Sequence, residues 1–160
     1  MTSFFHGSAL VDVDAEGNAA IPGFVAEALA DQASELIVAR HEIDDCLVGY
    51  GPARLAVLAE RSERRRLADE ERGAEVRSHY HRMRRTFGMA DRLPRSAATI
   101  RISAAMRHLG KIDGLALFVG TGDSFEIWNP ELAMASEDPQ FRDLAAFQLS
   151  SHNNTSLGVH

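Results

Sequence analysis

Phe125-Glu126-Ile127-Trp128-Asn129-Pro130 has a counterpart 78 residues upstream, Leu47-Val48-Gly49-Tyr50-Gly51-Pro52. Each string carries an apolar residue first, an aromatic fourth and a proline sixth. Self-similarity at a fixed offset marks a repeated unit, and a repeat takes priority over any local reading. Working outward, Leu36-Ile37-Val38-Ala39 parallels Leu115-Ala116-Leu117-Phe118-Val119, each a short β-prone run. Further upstream, Ile21-Pro22 with Val25 and Leu29 parallels Ile102-Ser103 with Met106 and Leu109. Both halves therefore predict strand, short helix, strand, turn, strand, then a proline opening a helix.

Local chemistry supports that order. Val11 and Val13 alternate with Asp12 and Asp14, the period of a half-buried strand. Ala15-Glu16-Gly17-Asn18 reads as a turn with Gly17 at positive φ. Pro22 suits the first turn of a helix, where a missing N–H costs nothing. Thr121-Gly122-Asp123-Ser124 turns Leu115–Val119 into Phe125–Trp128 as a hairpin. After Pro52, Leu55, Leu58 and Ala59 are spaced for one buried helical face.

Between the halves, Arg61 to Arg85 holds no proline and one glycine, Gly73, and predicts one or two helices turning Leu67, Val76, Tyr80 and Met83 inward. Asp138 caps a last helix, with Pro139 next and Phe141, Leu144, Ala145 and Gln148 on one face. Beyond Leu149 the Ser/Asn-rich end is expected to be disordered. The units expected are a first half at 1–60, a charged helical connector at 61–88, a second half at 89–136, and a helix and tail at 137–160. Each β-rich half, at about 50 residues, is too small to bury an adequate core alone, so the two must pack as one pseudo-symmetric unit.

The chain of 160 residues is 45% apolar and 25% charged, values of an ordinary globular domain. Its longest β-prone apolar run, Leu115–Val119, is far short of the roughly 20 residues a membrane helix needs, and Met1–Gly7 lacks the pattern of a secretion signal. Cys46 is the one cysteine, so no internal disulfide forms. A soluble cytoplasmic protein without a membrane partner is the expectation. The net charge of −6 divides into −8 over residues 1–60, +8 over 61–111 and −6 over 112–160. A middle this basic faces either nucleic acid or acidic neighbours, and charge alone favours a solvated helix laced with ion pairs.

Candidate chemistry elsewhere is sparse. His79 and His81 point apart on a helix and do not share a metal. His41, Glu42, Asp44 and Asp45 form a cluster able to hold a cation, but read better as a solvated turn. Cys46 reads as a small buried hydrophobe and Trp128 as core or interface. No phosphate loop or serine elbow occurs. No enzyme, cofactor or metal site is expected.

The string Asp14-Ala15-Glu16-Gly17-Asn18-Ala19-Ala20-Ile21-Pro22, Cys46-Leu47 ahead of Tyr50, and Gly122-Asp123-Ser124-Phe125-Glu126-Ile127-Trp128-Asn129-Pro130 together resemble the MraZ family over about residues 5–135. That family regulates transcription of the bacterial division and cell-wall gene cluster. The resemblance implies an α+β fold of tandem AbrB-like swapped-hairpin β-barrel halves with pseudo-two-fold symmetry and peripheral helices. It implies closed homo-oligomeric rings that bind repeats in promoter DNA, and a nucleoid-associated protein. In the family, an Asp-x-x-x-Arg loop in each copy meets DNA. Here the first copy keeps Asp14 and Gly17 but has Asn18 at the arginine position; the second places Arg95 and Thr99 at the aspartate and arginine positions. Ser103 also replaces the usual proline. The DNA-binding residues implied are Asp14, Gly17 and Asn18, with Arg92, Arg95, Thr99 and Arg101 around the second loop. An arginine held by an aspartate offers a charged fork to phosphate or guanine, and Asn18 releases no counterion, so a ring-forming scaffold or protein-interaction module with weakened or lost DNA binding is the alternative.

Overall fold

Strand alternation builds the centre of the molecule. In β3 (Glu35–Arg40) Leu36 and Val38 point to one face and Ile37 and Ala39 to the other, all four buried. A strand buried on both faces must be covered twice, and here it is. The computed structural model describes residues 4–29, 35–94, 96 and 98–157. The fold is α+β.

The first half contains β1 (Ser8–Asp12), β2 (Asn18–Ala20), α1 (Gly23–Leu29), β3, β4 (Leu47–Tyr50) and α2 (Arg54–Glu71). The second repeats the order with β5 (Ala90–Pro94), β6 (Thr99–Arg101), α4 (Ala104–Gly110), β7 (Leu115–Gly120), β8 (Phe125–Trp128) and α5 (Pro130–Ala133). Between them lie α3 (Val76–Met83) and a π-helical turn, Arg84–Gly88. Six strands form one antiparallel sheet in the order β1-β7-β8-β4-β3-β5, and β2 pairs with β6 in a separate ribbon. Exchanging each strand for its counterpart in the other half leaves that order unchanged. The first strand of each half pairs with the third strand of the other, so the halves interleave. The pseudo-dyad passes through the Val48–Glu126 pair of the sheet and the Ala19–Ile100 pair of the ribbon.

The sheet is not closed into a barrel, contrary to the sequence expectation: β1 and β5 are its edges. β2 and β6 are three residues each, and a lone bridge, Val13 to Ala19, joins ribbon to sheet among the described residues. Strands that short have no ladder left to close a barrel.

One core serves both halves. Val25, Leu29, Leu36, Val38, Leu47, Ile100, Ile102, Met106, Phe118, Phe125 and Ile127 are all buried in it, under α1, α4 and the ribbon. On the opposite face, α5 and α6 (Pro139–Leu157) cover Leu117 and Trp128, with Phe141 edge-on to the Trp128 ring at 5.1 Å. Asp138 caps α6 as expected, accepting from Gln140 N at 3.0 Å. The helix does not stop at Leu149 but runs to Leu157. Its far end is tied to β1: Gln148 Nε2 donates to Ser8 Oγ (3.2 Å), and His152 Nε2 meets Asp12 Oδ1 at 3.3 Å. Those contacts outweigh the weak helix propensity of Ser and Asn.

The connector differs from expectation more sharply. Leu67, Val76 and Tyr80 are 48%, 63% and 55% exposed, and only Met83 is half-buried. α2 and α3 pack chiefly on each other, and the seam between them is ionic. Asp69, 8% exposed, accepts from Arg82 Nη2 at 2.6 Å and also binds Arg72, and Arg82 is equally buried. The Arg72 and Arg82 guanidiniums hold the Asp69 carboxyl below its ordinary range. A helical pair closed by a buried ion pair leaves its apolar stripe outside.

Candidate nucleic-acid interface

The β1–β2 turn is shaped by Asp14. Its Oδ1 accepts from the backbone N–H groups of Glu16 and Asn18, both at 2.9 Å, and its Oδ2 accepts from Asn18 Nδ2 at 3.1 Å. These bonds, the Asn18 N–H foremost, hold the Asp14 carboxyl below its ordinary value. Gly17 takes φ +95°, as the sequence predicts, and its carbonyl accepts from Ile102 N at 2.8 Å. A Cβ there would sit 2.1 Å from the Ile102 carbonyl oxygen, so close approach as well as φ requires glycine. The pseudo-dyad repeats this contact where Ile21 N donates to Ala98 O at 2.9 Å.

The second turn closes differently. Ser96 Oγ accepts from Thr99 N at 3.0 Å and bonds Thr99 Oγ1 at 2.8 Å, so Thr99 shapes its turn much as Asn18 shapes the first. Arg95 lies outside the described residues. Arg92 belongs to the sheet edge, where it faces Glu35 at 3.6 Å.

Of the sequence-implied residues, the ribbon brings Asn18, Thr99 and Arg101 together from the two halves. Asn18 lies opposite Arg101, and Arg101 Nε donates to the Glu16 carbonyl at 3.2 Å. Arg101 is exposed, with only Nε engaged among the described residues. Arg107 reaches the same turn from α4, donating through Nη1 to Ala15 O and through Nε to Ile102 O, each at 3.1 Å. Sequence reasoning passed over Arg107, and no repeat signal marks it: its counterpart in the first half is Ala26. Two guanidiniums thus stand against the turn that lacks its own, a turn that carries the carboxylates of Asp14 and Glu16.

Much of the basic middle is spent on acidic neighbours. Arg64, Arg65, Arg66, Arg72 and Arg82 pair with Glu60, Glu42, Glu63 with Glu70, Asp69 and Asp69 respectively. In the His41–Asp45 turn, Asp45 is held by Arg40 (2.8 Å) and Lys111 (3.1 Å). No bare acidic cage for a cation remains there.

His41, Cys46 and Glu126 do come within metal-ligand distance of one another. Hydrogen bonding assigns the group another role. His41 Nδ1 accepts from Ile43 N (3.1 Å) and Asp44 N (3.0 Å), so the neutral ring carries its proton on Nε2, which meets Glu126 Oε2 at 3.2 Å. A metal on Nε2 would need a proton on Nδ1, against two N–H donors. Burial opposes the Glu126 carboxylate, but the donors His41 Nε2 and Trp128 Nε1 (2.9 Å) outweigh it and keep its carboxyl below the ordinary value. Burial pushes the Cys46 thiol strongly up, removing it as a nucleophile.

Neither a model of any protein family nor any curated protein matches the chain.

Proposed function

We propose that this protein is a DNA-binding transcriptional regulator of the MraZ type. In this reading its interleaved halves are AbrB-like swapped hairpins, and it works in the cytoplasm, on the nucleoid, as a homo-oligomeric ring on promoter repeats. The observation that carries the reading is Arg101, exposed, anchored through Nε on the carbonyl of Glu16, and set opposite Asn18 in the ribbon. A guanidinium fixed at one nitrogen keeps its fork for phosphate or a guanine edge. Arg107 holds the turn in place behind it. Phosphate contacts of this kind position a protein and release counterions, and a ring presenting the turn many times multiplies a weak contact.

The second reading is a ring-forming scaffold that binds DNA weakly or not at all. It is favoured by the commitment of both Asp14 oxygens to the turn and by the pairing of five connector arginines. Titrating the protein onto labelled duplexes with and without repeated sequence, at low salt, decides between them. Saturable binding supports the regulator, and its absence supports the scaffold. Light scattering tests the assembly common to both, and a species of 17.5 kDa at micromolar concentration contradicts it.

A further inference from the structure

Pseudo-symmetry exposes an imbalance between the two aromatic residues of the repeat. Trp128 has its polar atom satisfied by Glu126, two residues earlier on the same strand. At the matching place before Tyr50 stands Val48. Tyr50 is 2% exposed, and its hydroxyl has no hydrogen-bond partner among the described residues. Arg85, from the π-helical turn, has a buried Nε in the same condition. Both residues line a single cavity of about 100 Å³ between α2, the π-turn and the outer face of β3 and β4. Arg40 and Arg54 also line it, paired with Asp45 and Asp123, and Glu42, paired with Arg65, is the one carboxylate among its described lining residues.

We propose that this cavity binds a small tetrahedral oxyanion, inorganic phosphate or the phosphate of a small monoester, on the Tyr50 hydroxyl and Arg85 Nε. An arginine N–H can only donate, so an acceptor must meet it. Burial raises the Tyr50 pKa and keeps its hydroxyl protonated, so it too can donate. Buried donors seldom go unpartnered, and here two belong to residues lining one cavity, one of them on a guanidinium that pairs with no carboxylate among the described residues, which selects an anion over neutral water. A duplex phosphate, flanked by its sugars, cannot reach a hydroxyl this deeply buried. The site is therefore separate from the proposed DNA face and stands or falls apart from it.

The test is a thermal-unfolding series of the full chain in phosphate, in glycerol phosphate and in chloride, at matched ionic strength and pH. The proposal expects the melting temperature to rise saturably with phosphate or glycerol phosphate beyond the chloride control, following ln(1 + [L]/Kd). The tighter of the two identifies free ion or ester. Tyr50→Phe should weaken the apparent affinity about tenfold and Arg85→Met at least as much, as expected for losing a hydrogen bond to a charged group. Should Arg85→Met fail to fold, Tyr50→Phe carries the comparison, since it removes one oxygen and no volume that packs. The proposal is overturned if phosphate, glycerol phosphate and chloride act alike on the wild type. It is equally overturned if Tyr50→Phe binds phosphate as the wild type does, which would leave the cavity to water.

Discussion

Replacing Gly49 by alanine tests the interleaved core at the pseudo-dyad. In the β4–β8 ladder Gly49 faces Phe125, and the dyad-related pair is Leu47 with Ile127. The two pairs divide their volume differently, nothing against a phenyl ring on one side and two aliphatic chains on the other. A Cβ at Gly49 would lie 2.3 Å from Phe125 Cζ. The ring cannot retreat, because Phe125 is fully buried, with Phe5 and Phe118 at centroid distances of 5.1 and 5.9 Å. Gly49→Ala should therefore cost about 1–3 kcal/mol by overpacking. At about 2–4 °C per kcal/mol for a domain of this size, the melting temperature should fall by roughly 2–12 °C. Phe125→Leu alone should cost less than the ~3–5 kcal/mol of truncating a buried Phe to Ala. Combined, the two changes should cost less than their sum, with a coupling of about 0.5–3 kcal/mol, because the shorter side chain makes room for the new methyl. Urea denaturation of the four proteins measures the cycle. Strict additivity would refute the packing at the dyad.

Gly17→Ala should destabilise the fold by about 1–3 kcal/mol, since it combines a strained φ with a clash against the Ile102 carbonyl; denaturant midpoints check it. Asn18→Arg should keep a contact to Asp14 Oδ2 while adding a charge at the ribbon, tightening duplex binding and steepening its salt dependence; an unchanged slope counts against the DNA face. Glu126 has a carboxyl pKa lowered on folding, so its contribution is present above the unfolded value of 4.5 and is lost as pH falls through the folded value. Glu126→Gln should accordingly be less stable than wild type at neutral pH, by about 1–2 kcal/mol, and the gap should close in acid. A gap independent of pH contradicts the assigned His41–Glu126–Trp128 network.

The element order was legible because the repeat is written into apolar and proline spacing, and the Gly17 turn because only glycine readily takes that φ. Strand pairing was not. A repeat states that β1 and β5 are counterparts, but nothing in either strand says which copy of the third strand it joins. The inward reading of Leu67, Val76 and Tyr80 failed because helical spacing defines a stripe and not what covers it. Here Asp69 and Arg82 supply the seam instead, and their separation of thirteen residues across a turn at Gly73 leaves no periodic mark. The helix past Leu149 was hidden for a related reason, since its anchor on β1 comes from Ser8 and Asp12 at the far end of the chain. At the candidate interface, the residues of the first turn were readable from Asp14 to Asn18. Arg107 was not, because it reaches that turn across 92 residues of sequence.

The salt dependence of duplex affinity for wild type and Arg101→Gln tests the central claim most directly. Each phosphate contact contributes about 0.9 to the magnitude of the log–log slope on duplex DNA. If the ribbon face meets DNA through Arg101, the substitution should flatten the slope by about 0.9 for every subunit engaged, so an assembly loses several such increments together. Two parallel lines, or no binding by either protein at low salt, would contradict a regulator that works through this face.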